Sequence, residues 1–376
     1  MSRLADSSKA ASLCCVVSLT VLTMLGMIFA HATSVTPRDE HLATLRQAYA
    51  RPATEWPAPW LDADVAFVEL GKLNLPSSPS SHEQRRVALG ARLFHDTLLS
   101  AGNDLACSTC HDERHGWSSG MPTAPGHALA RGRRNPPSLH NVALRPYLAW
   151  DGRGSSLAAQ SLAPLTISEE MANKDLDSVL ARLHADTDYA ARFAEVYGAG
   201  SISADKLADA LVAFQTRLET ETRFERFAAG DPNALTDQEL WGLHLFRTKA
   251  RCINCHFGPL LTDDRFHNLK ISFFGEKAQD LGRYQVTHLA DDVGRFRTPS
   301  LRHVGQTAPY MHNGLFPTLE GVINLYDRGG GEVWARNKSE AANPLYPFAT
   351  HLSSHIRPLG LSDQEKAALA SFLRTL

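Results

Sequence analysis

Two pentapeptides, CSTCH at 107 to 111 and CINCH at 252 to 256, constrain this chain more than any other feature. In a C-x-x-C-H the thiols lie about one helical turn apart and a histidine follows at once. This is the pattern that attaches a c-type haem: the thiols add to the porphyrin vinyls and the histidine takes the iron from one side. Paired zinc knuckles would stand roughly 15 to 20 residues apart, whereas Cys110 and Cys252 are 142 positions apart. A C-x-x-C redox pair would leave both histidines unexplained. The pattern therefore predicts two covalent haems, on Cys107 and Cys110 and on Cys252 and Cys255, with His111 and His256 as proximal iron ligands.

The remaining two of the six cysteines, Cys14 and Cys15, lie in an uncharged apolar run over 12 to 30 that follows Arg3 and Lys9 and precedes Ala30-His31-Ala32. That is the form of an export signal cleaved after Ala32, which puts the mature chain in the periplasm. An uncleaved membrane anchor is the alternative, because the run approaches spanning length. No cysteine is then left for a disulfide. A net charge of -2, with 43% hydrophobic and 21% charged residues, is an ordinary soluble composition and leaves no basic footprint for nucleic acid. The oligomeric state is not specified, and a homodimer stays open.

The chain repeats itself. Ser80 with Glu83, and Thr236 with Glu239, have capping-box spacing, and each opens an amphipathic run ending in a matching block, GARLF (90 to 94) and GLHLF (242 to 246). Each unit closes on a helical pattern, ISADKLADALVAFQTRL (202 to 218) and LSDQEKAALASFLRTL (361 to 376), and the joint falls in AAGDPNAL (228 to 235). The predicted fold is all-α: two cytochrome-c-like haem domains in tandem, 76–227 and 228–376, with long loops and the haems near the domain interface. A signal at 1–32 and an extension at 33–75 precede them.

A second echo bears on chemistry. NPPSLHNVALRPYLAWDG (135 to 152) resembles RTPSLRHVGQTAPYMHNG (297 to 314) at an offset of 162 residues. The offset sets Trp150 opposite His312 and Pro164 opposite Tyr326. Proline cannot ligate iron and a phenolate can, so if this position faces each haem, one iron is open and the other closed. That asymmetry suits a peroxide-using enzyme, in which one haem needs a free site with an acid-base beside it. Gln160 and Pro164 are one turn apart, and the pair Glu169 and Glu170 follows; from the residues alone that pair reads as a solvated turn. Locally, Tyr326 reads equally well as a helix-end aromatic before the glycines of TLEGVINLYDRGGG (318 to 331).

The motifs resemble the bacterial dihaem cytochrome c peroxidase family, which includes the methylamine-utilisation protein MauG. The resemblance covers about residue 60 to 376 and rests on two CxxCH, RNPPSLHN, WDGR, QxxxP then EM, PSLRHV, TAPYMHNG and SFLRTL. It implies that the first haem is peroxidatic and the second transfers electrons, that Glu170 is the acid-base, and that Gln160 and Pro164 line its distal pocket. It also implies that Trp150 lies between the haems, and that Asn135, Thr307 and Pro309 surround a calcium ion. His127 falls where many members keep a histidine that caps the first iron in the oxidised enzyme; otherwise it is a surface histidine on a mobile loop. Ordinary members supply methionine to the second iron fourteen residues after the histidine of the Y-x-H-(D/N)-G block, and here that position is Tyr326, as in MauG; Met311 is the alternative ligand. The tryptophan through which MauG oxidises its substrate, two residues before the second CxxCH, is here Ala250. His244, His267, His288, His351 and His355 receive no role.

Three functions follow as expectations. The first is a periplasmic peroxidase that reduces hydrogen peroxide with electrons from a small cytochrome c or cupredoxin. The second is a MauG-like oxidase in which both irons become highly oxidised and withdraw electrons from a tyrosine or tryptophan of a partner protein. The third is a non-enzymatic dihaem electron carrier.

Overall fold

The same helix pairing is built twice. In the first half, the helix Ser81–His95 packs on Ala204–Gln215; in the second, Asp237–Arg247 packs on Asp363–Leu373. The reason lies in the first glycine of each echoed block. A Cβ on Gly90 would stand 1.9 Å from the Ala210 carbonyl oxygen, and one on Gly242 would stand 2.1 Å from that of Ala368. Only a residue without a side chain lets these backbones approach so closely. The caps are alike but not identical. Thr236 and Glu239 exchange both bonds of a capping box, whereas Ser80 accepts from the Glu83 amide while the Glu83 carboxylate pairs with Arg86 instead, at 2.7 Å.

The computed structural model describes residues 37–376, so the export signal read at 1–32, with Cys14 and Cys15, lies outside the described residues. Among the described residues no helix is long and apolar enough to cross a membrane. The chain is helix-rich with little strand, as the all-α expectation requires at that level. Its one sheet among the described residues pairs Phe266–Asn268 antiparallel with Arg295–Arg297, placing His267 opposite Phe296.

Apolar side chains gather in two large clusters. One is built from residues between Leu89 and Leu218. The other runs from Phe224 to Leu376 and takes in Leu45, Tyr49, Trp56 and Leu70, so the segment before the first helix pair packs into the second cluster. Its helix Pro37–Tyr49 lies along Asp237–Arg247, where the Tyr49 hydroxyl meets His244 Nδ1 at 3.1 Å. Further on, Asn254 of CINCH bonds the Trp60 carbonyl and the Asp62 amide, which ties this segment to the second pentapeptide.

The echo at 162 residues is also an echo of backbone shape. Helices Leu157–Thr166 and Leu319–Asp327 begin at matching positions, capped by Ser156 and Thr318 through the amides of Ala159 and Gly321. Short bridges join Leu148 to Gly154 and Tyr310 to Phe316. Left-handed backbone recurs in register at Ala149 and Met311 and at Gly152 and Gly314. Pro164 and Tyr326 therefore occupy the same place on equivalent helices.

Candidate active site

The two pentapeptides open onto a continuous cavity of about 440 Å³. Cys107, Cys110 and His111 line it from the first half, and Cys252, Cys255 and His256 from the second. No disulfide joins the cysteines. Each histidine is oriented in the same way. His111 Nδ1 lies 3.0 Å from the Trp117 carbonyl, and His256 Nδ1 lies 2.9 Å from that of Leu261. Both acceptor residues have positive φ, 58° and 54°, which turns their carbonyls back toward the rings. A carbonyl only accepts, so Nδ1 carries the proton and the Nε2 lone pair is left for a metal. Burial holds both imidazoles neutral, lowering His256 to about 4. Two thiols beside a pre-oriented imidazole, twice over, fit two haems.

The electrostatics of the wall agree. Arg145 and Arg297 both line the cavity, are largely buried and share Asp264: Arg145 Nη2 is 2.5 Å and Arg297 Nη1 3.5 Å from its Oδ1. Burial, then the charge of Arg145, bring Arg297 down to about 10. Two guanidiniums on one carboxylate leave positive charge that suits the propionates of a porphyrin. Sequence reading missed this pair, although each echoed region carries one of these arginines. It also missed His267 and His355, which reach the wall beside the second pentapeptide. His267 is held by Asp263 at 2.8 Å and His355 by Asp62 at 2.9 Å.

Gln160, Pro164 and Glu170 lie together on the wall of the first half. Gln160 and Pro164 share a face of helix Leu157–Thr166, and Glu170 lies close enough to Cys110 for its charge to raise that thiol to about 11, after burial. The two adjacent glutamates separate sharply. Glu169 is exposed, hydrogen-bonded by Ser168 at 2.7 Å, and its pKa is lowered. Glu170 faces the cavity, its carboxylate takes no hydrogen bond from the described residues, and burial raises its pKa against the opposing charge of Arg153. A raised carboxyl without a partner can exchange a proton with a small molecule.

Tyr326 and Met311 both reach the cavity from the second half. Tyr326 is close enough to Cys255 and Cys252 to feel their charge, and burial pushes its phenol well above the usual range. A phenolate there requires a cation beside it.

Asn135 joins the halves. Its carbonyl accepts from Trp150 Nε1 at 2.8 Å and its amide donates to the His312 carbonyl at 2.7 Å, so the echoed positions Trp150 and His312 meet on one residue. The Asn135 side-chain Nδ2 donates to the Met121 carbonyl at 2.8 Å, leaving its amide oxygen for another partner. Asn135, Thr307 and Pro309 line the same cavity.

His127 is the residue that does not join the others. Pro125 and Gly126 line the wall, but the His127 ring does not, and its Nδ1 is buried without a partner. Two backbone bonds tie its loop: the Gly126 amide donates to the Ala130 carbonyl at 2.7 Å and the His127 amide to that of Glu170 at 2.9 Å. Gly126 has no room for a Cβ, which would lie 1.8 Å from the Glu169 carbonyl oxygen.

A family model described as di-haem cytochrome c peroxidase matches residues 84–233. The chain is 35% identical to the methylamine utilization protein MauG of Methylorubrum extorquens, over 77% of this chain and 78% of that one. It is 32% identical to the cytochrome-c peroxidase IdrP1 of Pseudomonas sp. strain SCT, over 89% and 90%. Among solved structures, a MauG-like protein associated with microbial copper homeostasis superposes with a TM-score of 0.70 at 30% identity, over 84% of this chain and 95% of that one.

Proposed function

This chain belongs to the dihaem cytochrome c peroxidase family and is an oxidoreductase acting on peroxide; from that premise we propose that it reduces hydrogen peroxide to water in the periplasm, with electrons from a small cytochrome c or cupredoxin. The observation that carries the reading is Glu170: a carboxyl facing the cavity, raised by burial, without a hydrogen bond from the described residues. We assign one haem to each half, the peroxidatic one to 76–227 and the electron-transfer one to 228–376, each attached through its two cysteines. Haem, when bound, would supply the redox-active iron for reducing peroxide.

The chain's own residues do the rest. Glu170 accepts the proton of the peroxide oxygen to be retained and returns one to the oxygen that leaves. Two electrons and two protons then turn one peroxide into two waters. Gln160 orients peroxide with its amide, and Pro164 offers no ligand atom. His111 and His256, aimed by their carbonyl partners, would hold the irons. Trp150 carries oxidising equivalents between the halves along the contact with Asn135. Asn135, Thr307 and Pro309 would hold a calcium ion, whose oxygen ligands would keep that contact rigid.

A second reading rests on Tyr326. A phenolate on the second iron favours its oxidised states over ferrous, which suits an enzyme that stores oxidising equivalents and spends them on a tyrosine or tryptophan of a partner protein. Ala250, where MauG has its relay tryptophan, argues against the MauG substrate route. One experiment separates the readings: rapid mixing of peroxide with the fully ferric and the half-reduced protein. Reaction only after half-reduction supports donor-driven turnover, and prompt oxidation of both haems from the ferric state supports the second reading. No spectral change in either state would leave only an electron carrier.

A further inference from the structure

A cluster remote in sequence from both pentapeptides has an atomic arrangement that its own hydrogen bonds do not complete. His140, from the first echoed loop, and His303, from the second, stack with ring centroids 3.8 Å apart and planes 25° apart. Glu219, in the segment linking helices Ala204–Gln215 and Arg223–Ala228, faces both: His303 Nε2 lies 2.9 Å from its Oε1, and His140 Nδ1 lies 3.8 Å from its Oε2. At 3.8 Å the second pair is not hydrogen-bonded. Both of its atoms, His140 Nδ1 and Glu219 Oε2, are buried without any partner. All three side chains are no more than 6% exposed.

Arg302 is the guanidinium here, and it serves two carboxylates, Glu219 Oε1 at 2.6 Å and Glu225 at 2.8 Å. These two buried carboxylates are faced by that one guanidinium and by the imidazoles of His140 and His303. Arg302 occupies Oε1 through both Nε and Nη2 and leaves Oε2 bare. Two unpaired ligand atoms facing each other in a buried site call for a cation between them.

We propose that His140 Nδ1, His303 Nε2 and a Glu219 carboxylate oxygen bind one divalent transition-metal ion of the zinc class. One ligand atom from each of the three residues lies within 4.8 Å of the others. Bonds of about 2.1 Å at a tetrahedral angle set ligands roughly 3.4 Å apart, so the two rings must turn out of their stack to aim both lone pairs at one ion. Two imidazoles and one carboxylate suit zinc and disfavour calcium and magnesium, which prefer oxygen. On binding, His303 gives up its bond to Oε1, which Arg302 continues to fill, and water takes the fourth position. The ion joins one loop of each half to the segment between them. The His303 amide also donates to a backbone oxygen of Leu376. Because the unfolded chain cannot assemble these ligands, the ion stabilises the folded protein by mass action.

The test uses the haem-loaded protein, stripped with a chelator, restored with calcium, loaded with zinc chloride and desalted. One zinc per chain is expected in the parent and in His351→Gln, an exposed control. His140→Gln and His303→Gln should each weaken zinc binding by at least about 100-fold, no less than loss of an outer-shell partner costs. X-ray absorption at the zinc edge of the parent should show two imidazoles and no sulfur, and zinc should raise the parent's Tm but not that of the variants. Absence of retained zinc in the parent overturns the proposal, as does equal retention by the histidine variants. Should either variant fail to take up haem, the absorption spectrum of the parent still decides: one imidazole or none, or any sulfur, refutes the site.

Discussion

Glu170→Gln tests the chemistry at its most exposed point. Glutamine keeps the volume and planar head of glutamate but holds no proton that it can trade. Glu170 faces the cavity with no hydrogen bond from the described residues to its carboxylate, so the substitution removes the acid-base without breaking a contact. Loss of a positioned acid-base costs about 10²- to 10⁴-fold, or about 2.7 to 5.5 kcal/mol of barrier. Rapid mixing of peroxide with the half-reduced protein measures it, with Glu169→Gln as control, because that neighbour is exposed and bonded to Ser168. The same substitution has an opposite effect on stability. Burial raises the folded pKa of Glu170, so its charged form destabilises the fold: the penalty is absent in acid, appears as pH rises past the unfolded value, and is complete above the folded one. Glu170→Gln should therefore be at least as stable as the parent at pH 7 and equal to it below the usual carboxylate range. Wild-type peroxide rates, or a lower Tm at pH 7 alone, would refute the assignment.

Three further substitutions probe other parts of the site and the fold. Tyr326→Met should raise the potential of the second haem by on the order of 0.1 V or more, within the ~0.8 V span that axial ligands command; an unchanged potential in spectroelectrochemical titration removes Tyr326 as a ligand. Gly242→Ala sets a methyl 2.1 Å from the Ala368 carbonyl oxygen and should cost about 1–3 kcal/mol in denaturant unfolding, whereas an unshifted midpoint means the helices separate freely. Trp150→Phe leaves the Asn135 carbonyl without its 2.8 Å donor, at about 1–3 kcal/mol, and should slow electron exchange between the haems while peroxide binding persists. Unchanged exchange after a laser-induced redox jump would remove Trp150 from the path.

The parts of the protein legible in its sequence are those in which chemistry depends on short spacing. A C-x-x-C-H brings its own thiols and imidazole together on one turn, so both pentapeptides were readable as haem sites without any knowledge of the fold. Duplication was equally readable, because one backbone solution used twice leaves the same turn residues at the same offset. That is why Pro164 and Tyr326 could be matched before their helices were seen to coincide. Glu170 was not separable from Glu169 on residue pattern alone, and only the resemblance chose between them. Their opposite environments, one bonded to Ser168 and open to solvent, the other turned into the cavity, come from where the loop lies on helix Leu157–Thr166.

Other features existed only once the chain had closed on itself. Arg145 and Arg297 share Asp264, and His140 meets Glu219 and His303, across separations that no local pattern spans. His127 keeps its ring off the cavity wall because backbone bonds clip its loop to Glu170. Glu83 leaves its capping box because Arg86 offers a stronger, charged partner. The sequence by itself determined the thiol-imidazole spacing of both pentapeptides, the helical repeat and the pairing of Tyr326 with Pro164, since each is set within a turn or two of backbone. The tertiary structure decided which charges face the cavity, which carboxylate is free to act and which histidines meet, because a side chain's partners depend on long-range packing that spacing along the chain does not encode.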